Sequence, residues 1–251
     1  MKWCLLFLLV PSLVYAQDWG GTAYRDADSV QDATISSDTP DSNWGASGAI
    51  NVWSGVSVER QNSLIRFEND PHTTGWTQTA GTLFVWYDAA SSDPDASTDS
   101  LILYGYVLRR TWNEGNENGL TADSGDCDWT ATMTKTSGAD SVSWSTPGAQ
   151  NTNTDRQNVV ACSSKIIEDT TASQYLAMPI ASGHMTQDFF DYGMVLTVGW
   201  SDANNETVVL RSSENSTVGF RWYINGYESV GATSAGYGDA TFGGNHAYGA
   251  R

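Results

Sequence analysis

Two kinds of residue in this chain are spaced to do chemistry. The first is carboxylates in short runs: Asp123, Asp126 and Asp128, and separately Asp93, Asp95 and Asp99. Such runs can converge on one Ca²⁺, which takes roughly six to eight oxygens at about 2.3–2.6 Å. Neither run has the closing bidentate Glu of an EF-hand, and a solvated acidic loop is the plain alternative. The second kind is flat aromatics near arginines: Trp53, Trp76, Tyr104, Tyr106 and Trp129, with Arg109 and Arg110. Aromatic faces stack on the apolar faces of sugar rings, and guanidinium groups bond hydroxyls and carboxylates. Each ring is equally at home in a core. Trp86, Trp112 and Trp144 read as core aromatics, because tryptophan is highly buried on average.

Catalytic constellations are scarce. The histidines are His72, His184 and His246, and none sits in H-E-x-x-H. There is no G-x-S-x-G elbow and no P-loop. Paired carboxylates for glycoside hydrolysis have no local signature, and Tyr104, Tyr106 and Arg109 are nominal lyase candidates. The expectation is a protein that is not an enzyme and requires no cofactor, with structural Ca²⁺ at Asp123, Asp126 and Asp128 as the one candidate.

The first sixteen residues have the form of a signal peptide: Lys2, the apolar run Leu5 to Val10, Pro11, and a small-residue site ending at Ala16. The apolar run is too short to span a bilayer, which needs ~20 residues. A secreted chain cut after Ala16 keeps Cys127 and Cys162, and two cysteines in an oxidising compartment most simply pair. Two free thiols are the alternative. Two sequons, at Asn205 and Asn215, would accept glycans in a eukaryotic host.

These residues must be held by β-structure. The chain carries 29 acidic against 12 basic residues, a net charge of −17. That charge repels nucleic acid and anionic membrane. Gly, Ser, Thr, Asn and Asp abound while Lys, Glu and Leu are few, so turn residues and β-formers dominate. Strands are expected at 32–35, 50–58, 63–68, 82–87, 101–110, 130–135, 163–172, 194–200, 207–211 and 220–224. One short helix is expected at 184–192, with polar loops at 88–100, 113–128 and 151–157. Ten short strands between turn signals specify an all-β, antiparallel, jelly-roll-like β-sandwich. The expected organisation is a signal peptide at 1–16, an N-terminal arm at 17–28, the sandwich at 29–228 and a Gly-rich C-terminal tail at 229–251.

A series of short motifs adds to this. In order they are Asn43-Trp44-Gly45, Leu64-Ile65-Arg66-Phe67-Glu68, Trp112-Asn113-Glu114-Gly115, Trp144 to Gly148, Tyr192-Gly193-Met194-Val195, and Ser212-Ser213-Glu214-Asn215. Their order resembles the DNRLRE-type β-sandwich family of extracellular, carbohydrate-associated proteins. The chain departs from that pattern where Arg221-Trp222 stands for the family's Arg-Pro. The resemblance implies a non-catalytic module at the cell surface or in the extracellular matrix that binds polysaccharide, alginate-like in described members. The long loops after Gly115 and Pro147 would carry ligand preference. Asn43 and Glu114 are expected to satisfy backbone groups at turns, and Arg66 to pair with a carboxylate. The rival expectation is a structural subunit of a filament or sheath that self-associates through its termini, by adding a strand to a neighbour's sheet edge.

Overall fold

The computed structural model describes residues 17–18, 30–54, 60–67, 76–92, 101–133, 142–166, 172–181, 183–198 and 206–230. The expected signal peptide, residues 19–28 of the arm, Asp93, Asp95 and Asp99, the sequon asparagine Asn205 and the tail beyond Val230 lie outside the described residues. Among the described residues no helix is long and apolar enough to cross a membrane.

The fold is all-β and antiparallel. Its strands are β1 (Gln17–Asp18), β2 (Val30–Ser36), β3 (Ser42–Asn43), β4 (Ala49–Ser54), β5 (Arg60–Phe67), β6 (Trp76–Tyr87), β7 (Leu101–Val107), β8 (Leu120–Thr121), β9 (Ala131–Met133), β10 (Val142–Ser143), β11 (Cys162–Ile166), β12 (Gln174–Ile180), β13 (Met194–Val198), β14 (Glu206–Arg211) and β15 (Tyr223–Val230). One short helix, α1 (Gln187–Tyr192), precedes β13. The first layer runs β2-β5-β13-β7-β11. In the second, β6 pairs with β12 and with β15, and touches β14 at Leu210; β14 pairs with β4. The layers join where Trp53 and Ser54 of β4 meet Gln61 and Arg60 of β5. They approach again where Ala181 N–H donates to Ala161 O at 2.8 Å. The sandwich is thereby nearly closed into a barrel.

Within the first layer β2, β5 and β13 are largely buried on both faces, while β7 and β11 are buried on one. Along β5, Ile65 and Phe67 enter the inter-layer core while Leu64 joins a second cluster outside; along β13, Met194 and Leu196 point in and Val195 points out. The outer cluster is completed by Leu108, Trp112, Cys127, Trp129, Trp144 and Ala149. These come from the segments between β7 and β11, which form a cap over the sheet with its own small ladders, β3–β8 and β9–β10. Two-sided burial explains the near-continuous apolar run of β13, where a one-sided sheet would alternate.

Asn43 ties the segments of the cap to one another. Fully buried, it donates from Nδ2 to the carbonyls of Glu114 (2.6 Å) and Cys127 (2.8 Å). Its Oδ1 accepts from the backbone N–H of Gly45 (3.0 Å) and Glu117 (3.2 Å). Gly193, at φ 75°, closes α1 against β5, where an added Cβ would collide with the Ile65 carbonyl.

Several expectations need correcting. The strand β12 is absent from the sequence-derived set. Its Pro179 argues against a strand, yet Pro is tolerated at a sheet edge, and β12 ladders only with β6. Val218–Phe220 is a 3-10 turn, and the last strand begins at Tyr223 and runs to Val230. Cys127 and Cys162 are both buried and unbridged. Cys162 starts β11 in the inter-layer core and Cys127 lies in the outer cap, so the first layer separates them. Burial raises both thiols, Cys162 to about 12 and Cys127 well above its ordinary value. Cysteine usage therefore carries no argument about compartment. The sequon at Asn215 is spent on structure: its Nδ2 donates to Gly48 O at 3.0 Å and its Oδ1 accepts from Thr217 N–H at 2.9 Å.

Candidate functional site

A cleft of about 510 Å³ opens on the outer face of the first layer, beside the cap. Period-two alternation puts Tyr104 and Tyr106 of β7, Thr197 of β13, and Arg60 and Asn62 of β5 on that face. The cap supplies Gln150 and Arg156 along the rim. Among the described residues that line it, two are arginines and none is acidic, on a chain of net charge −17. The Arg156 guanidinium lies 3.7 Å over the Tyr106 ring centroid. A cation over an aromatic face is held there by the ring quadrupole. Its Nη1 is buried with no hydrogen-bond partner. Arg60 donates from Nη1 to Gln150 Oε1 at 3.3 Å, and desolvation lowers its pKa. Tyr104 stands 6.4 Å from Tyr106, centroid to centroid. The arrangement presents guanidinium and amide donors beside phenol rings, a set that suits an anionic, hydroxyl-rich ligand.

Of the residues singled out for sugar binding, the cleft brings together Tyr104 and Tyr106. Trp129 is not an exposed platform: it is buried in the cap against Gly148, whose φ of 78° leaves a bare face for the ring. Arg109 braces the cap, donating from Nη1 to Asn153 O at 2.9 Å. Arg110 does the same, with Nε 3.2 Å from the buried Asp155 carboxylate. Trp53 is half-buried on β4 of the other layer, and the Trp76 side chain lies outside the described residues. Trp112 and Trp144 are core residues as expected. Trp86 is not: it lies half-exposed on the outer face of the second layer, stacked on Phe220 at 4.3 Å and edge-on to Tyr175. Arg66 meets Gln31 Oε1 and covers the Trp112 ring at 5.3 Å. Sequence reasoning missed Arg60, Asn62 and Arg156. The alternation that groups Leu64 with Arg66 extends back to Arg60 and Asn62, a usable signal; Arg156 had none.

Asp123, Asp126 and Asp128 do not converge. The Asp128 Oδ1 accepts from Thr130 N–H (2.7 Å), Thr130 Oγ1–H (2.9 Å) and Ala131 N–H (2.7 Å), so it organises a turn. Asp126 Oδ2 accepts from Asp123 N–H at 3.1 Å. Among the described residues, the carboxylates that converge are Asp32, Glu114 and Glu214, with one oxygen from each within 4.8 Å of the others. Asp32 is fully buried. Its desolvation, with the charge of Glu214 adding, raises its carboxyl to about 7. Desolvation also raises Glu214.

No protein-family model matches the chain, and no curated protein matches it.

Proposed function

We propose that this chain is a secreted, non-catalytic module that binds an acidic polysaccharide, alginate-like in charge, in the Tyr104–Arg156 cleft. The carrying observation is a pair of arginines and no acidic group among the described lining residues of a strongly acidic chain. The Arg156 Nη1 is held in place by Tyr106 and has no protein acceptor. Arg156 lines the cleft, where a uronate carboxylate would meet the part of its guanidinium that is not buried. The DNRLRE resemblance and the signal-peptide pattern support the same reading from the sequence.

The test is binding of the mature protein to alginate and to a neutral glucan, with R156A and Y104A beside the wild type. A charge-assisted hydrogen bond contributes ~1.5–3 kcal/mol, so R156A should weaken alginate binding by about tenfold to a hundredfold. Equal binding of the neutral glucan, or alginate binding unchanged in R156A, refutes the reading.

One observation favours assembly through the termini as a second reading. Gln17 and Asp18 pair with Glu228 and Tyr227, so the arm already adds a strand to β15. A neighbour's arm could take that place. Deleting residues 17–28 should then abolish assembly, and a protein that stays monomeric at high concentration rules it out.

A further inference from the structure

The Asp32–Glu114–Glu214 cluster holds two buried carboxylate oxygens that no hydrogen-bond donor reaches. Asp32 Oδ2 accepts from the Ser213 N–H and the Trp222 Nε1–H, both at 2.6 Å. Glu114 Oε1 accepts from Asp32 N–H at 2.7 Å, and Glu214 Oε1 from Ser213 Oγ–H at 2.8 Å. Asp32 Oδ1 and Glu214 Oε2 are buried without a hydrogen-bond partner. The hydroxyl of Ser212, a fully buried residue, faces the Glu214 carboxylate and lowers its pKa without reaching hydrogen-bond geometry. Arg221 is the cation acting on Glu214. Orphaned buried carboxylate oxygens are costly, and such oxygens are ordinarily paired or bound to metal.

We propose that Asp32, Glu114 and Glu214, with the Ser212 hydroxyl, form a Ca²⁺ site that staples the two layers and the cap. Two oxygens on one Ca²⁺ lie no farther apart than twice the metal–oxygen distance, about 4.6–5.2 Å, and the three carboxylates meet that limit. The donor set is oxygen alone, which suits a hard cation and not Zn²⁺. A fully buried Asp32 leaves little room for the water shell that Mg²⁺ retains. The ligands come from β2, from the segment after β7 and from the turn after β14, up to 182 positions apart (Asp32 to Glu214). An ion there would fasten distant segments in the folded state only. This site is independent of the glycan cleft.

The test is calcium titration of the full mature protein after chelation, by calorimetry and by Trp-sensitised Tb³⁺ emission, since Trp222 touches Asp32. The expected result is one ion per chain and a raised Tm. E214Q, which keeps the side chain's shape, should weaken binding at least tenfold; D32N should do the same, and D123N should leave it unchanged. Failure of the wild type to take up one Ca²⁺ or Tb³⁺ overturns the proposal. So does uptake that E214Q leaves intact, or that D123N abolishes.

Discussion

Replacing Asn43 by Ala removes the clamp that holds the cap segments together, and the cost can be worked from its contacts. The side chain makes four hydrogen bonds with backbone groups, two given to the carbonyls of Glu114 and Cys127 and two taken from the N–H groups of Gly45 and Glu117, besides a weak one to Cys127 Sγ at 3.8 Å. Each contributes about 1 kcal/mol net, and each orphaned partner that stays dry costs more. The expected loss is therefore about 4 kcal/mol. For a domain of this size, 1 kcal/mol moves Tm by about 2–4 °C, so N43A should melt about 8–16 °C lower. N43D separates hydrogen bonding from packing. It keeps the volume but turns a carboxylate oxygen toward two carbonyls, so it should lose more than N43A. Urea unfolding followed by tryptophan fluorescence reads both variants, because Trp112, Trp129 and Trp144 report on the cap. A loss below about 1 kcal/mol in N43A, or a milder effect in N43D, would show that the cap is held by its apolar contacts and not by Asn43.

Two further outcomes are expected. In chelator, the Asp32 carboxyl is raised from 3.8 to about 7 by burial and then by Glu214. Its contribution to stability is therefore fully present below about pH 4 and lost as pH rises through about 7. Linkage sets the loss at about 4 kcal/mol at most. Wild type should thus lose stability relative to D32N between pH 4 and pH 8 in chemical unfolding at matched ionic strength; parallel profiles would refute it. Cys127 and Cys162 should resist alkylation in the folded protein and both react after unfolding, with no Tm change on adding reductant. An intact mass two hydrogens lower under non-reducing conditions would show a bridge.

Strand alternation was legible because period two is a local property. The tyrosine pair, the antiparallel all-β class and the turn at Asn43 followed from local residue types. The motif order marked Glu114 and Glu214 as turn residues, yet their meeting with Asp32 depends on pairing across β2, β5 and β14. The reading of Trp112 and Trp144 as core aromatics was legible, but nothing local showed that they, with Trp129, build a second core outside the first layer. Nor could spacing separate Cys127 from Cys162, which the first layer keeps apart, or turn Asp128 away from a metal and toward its own backbone. Residue type and short-range period thus determined the strands and the kind of chemistry available. Which carboxylates converge, and which arginine is left without an acceptor, was decided by the tertiary fold, because desolvation and convergence belong to segments far apart in the chain.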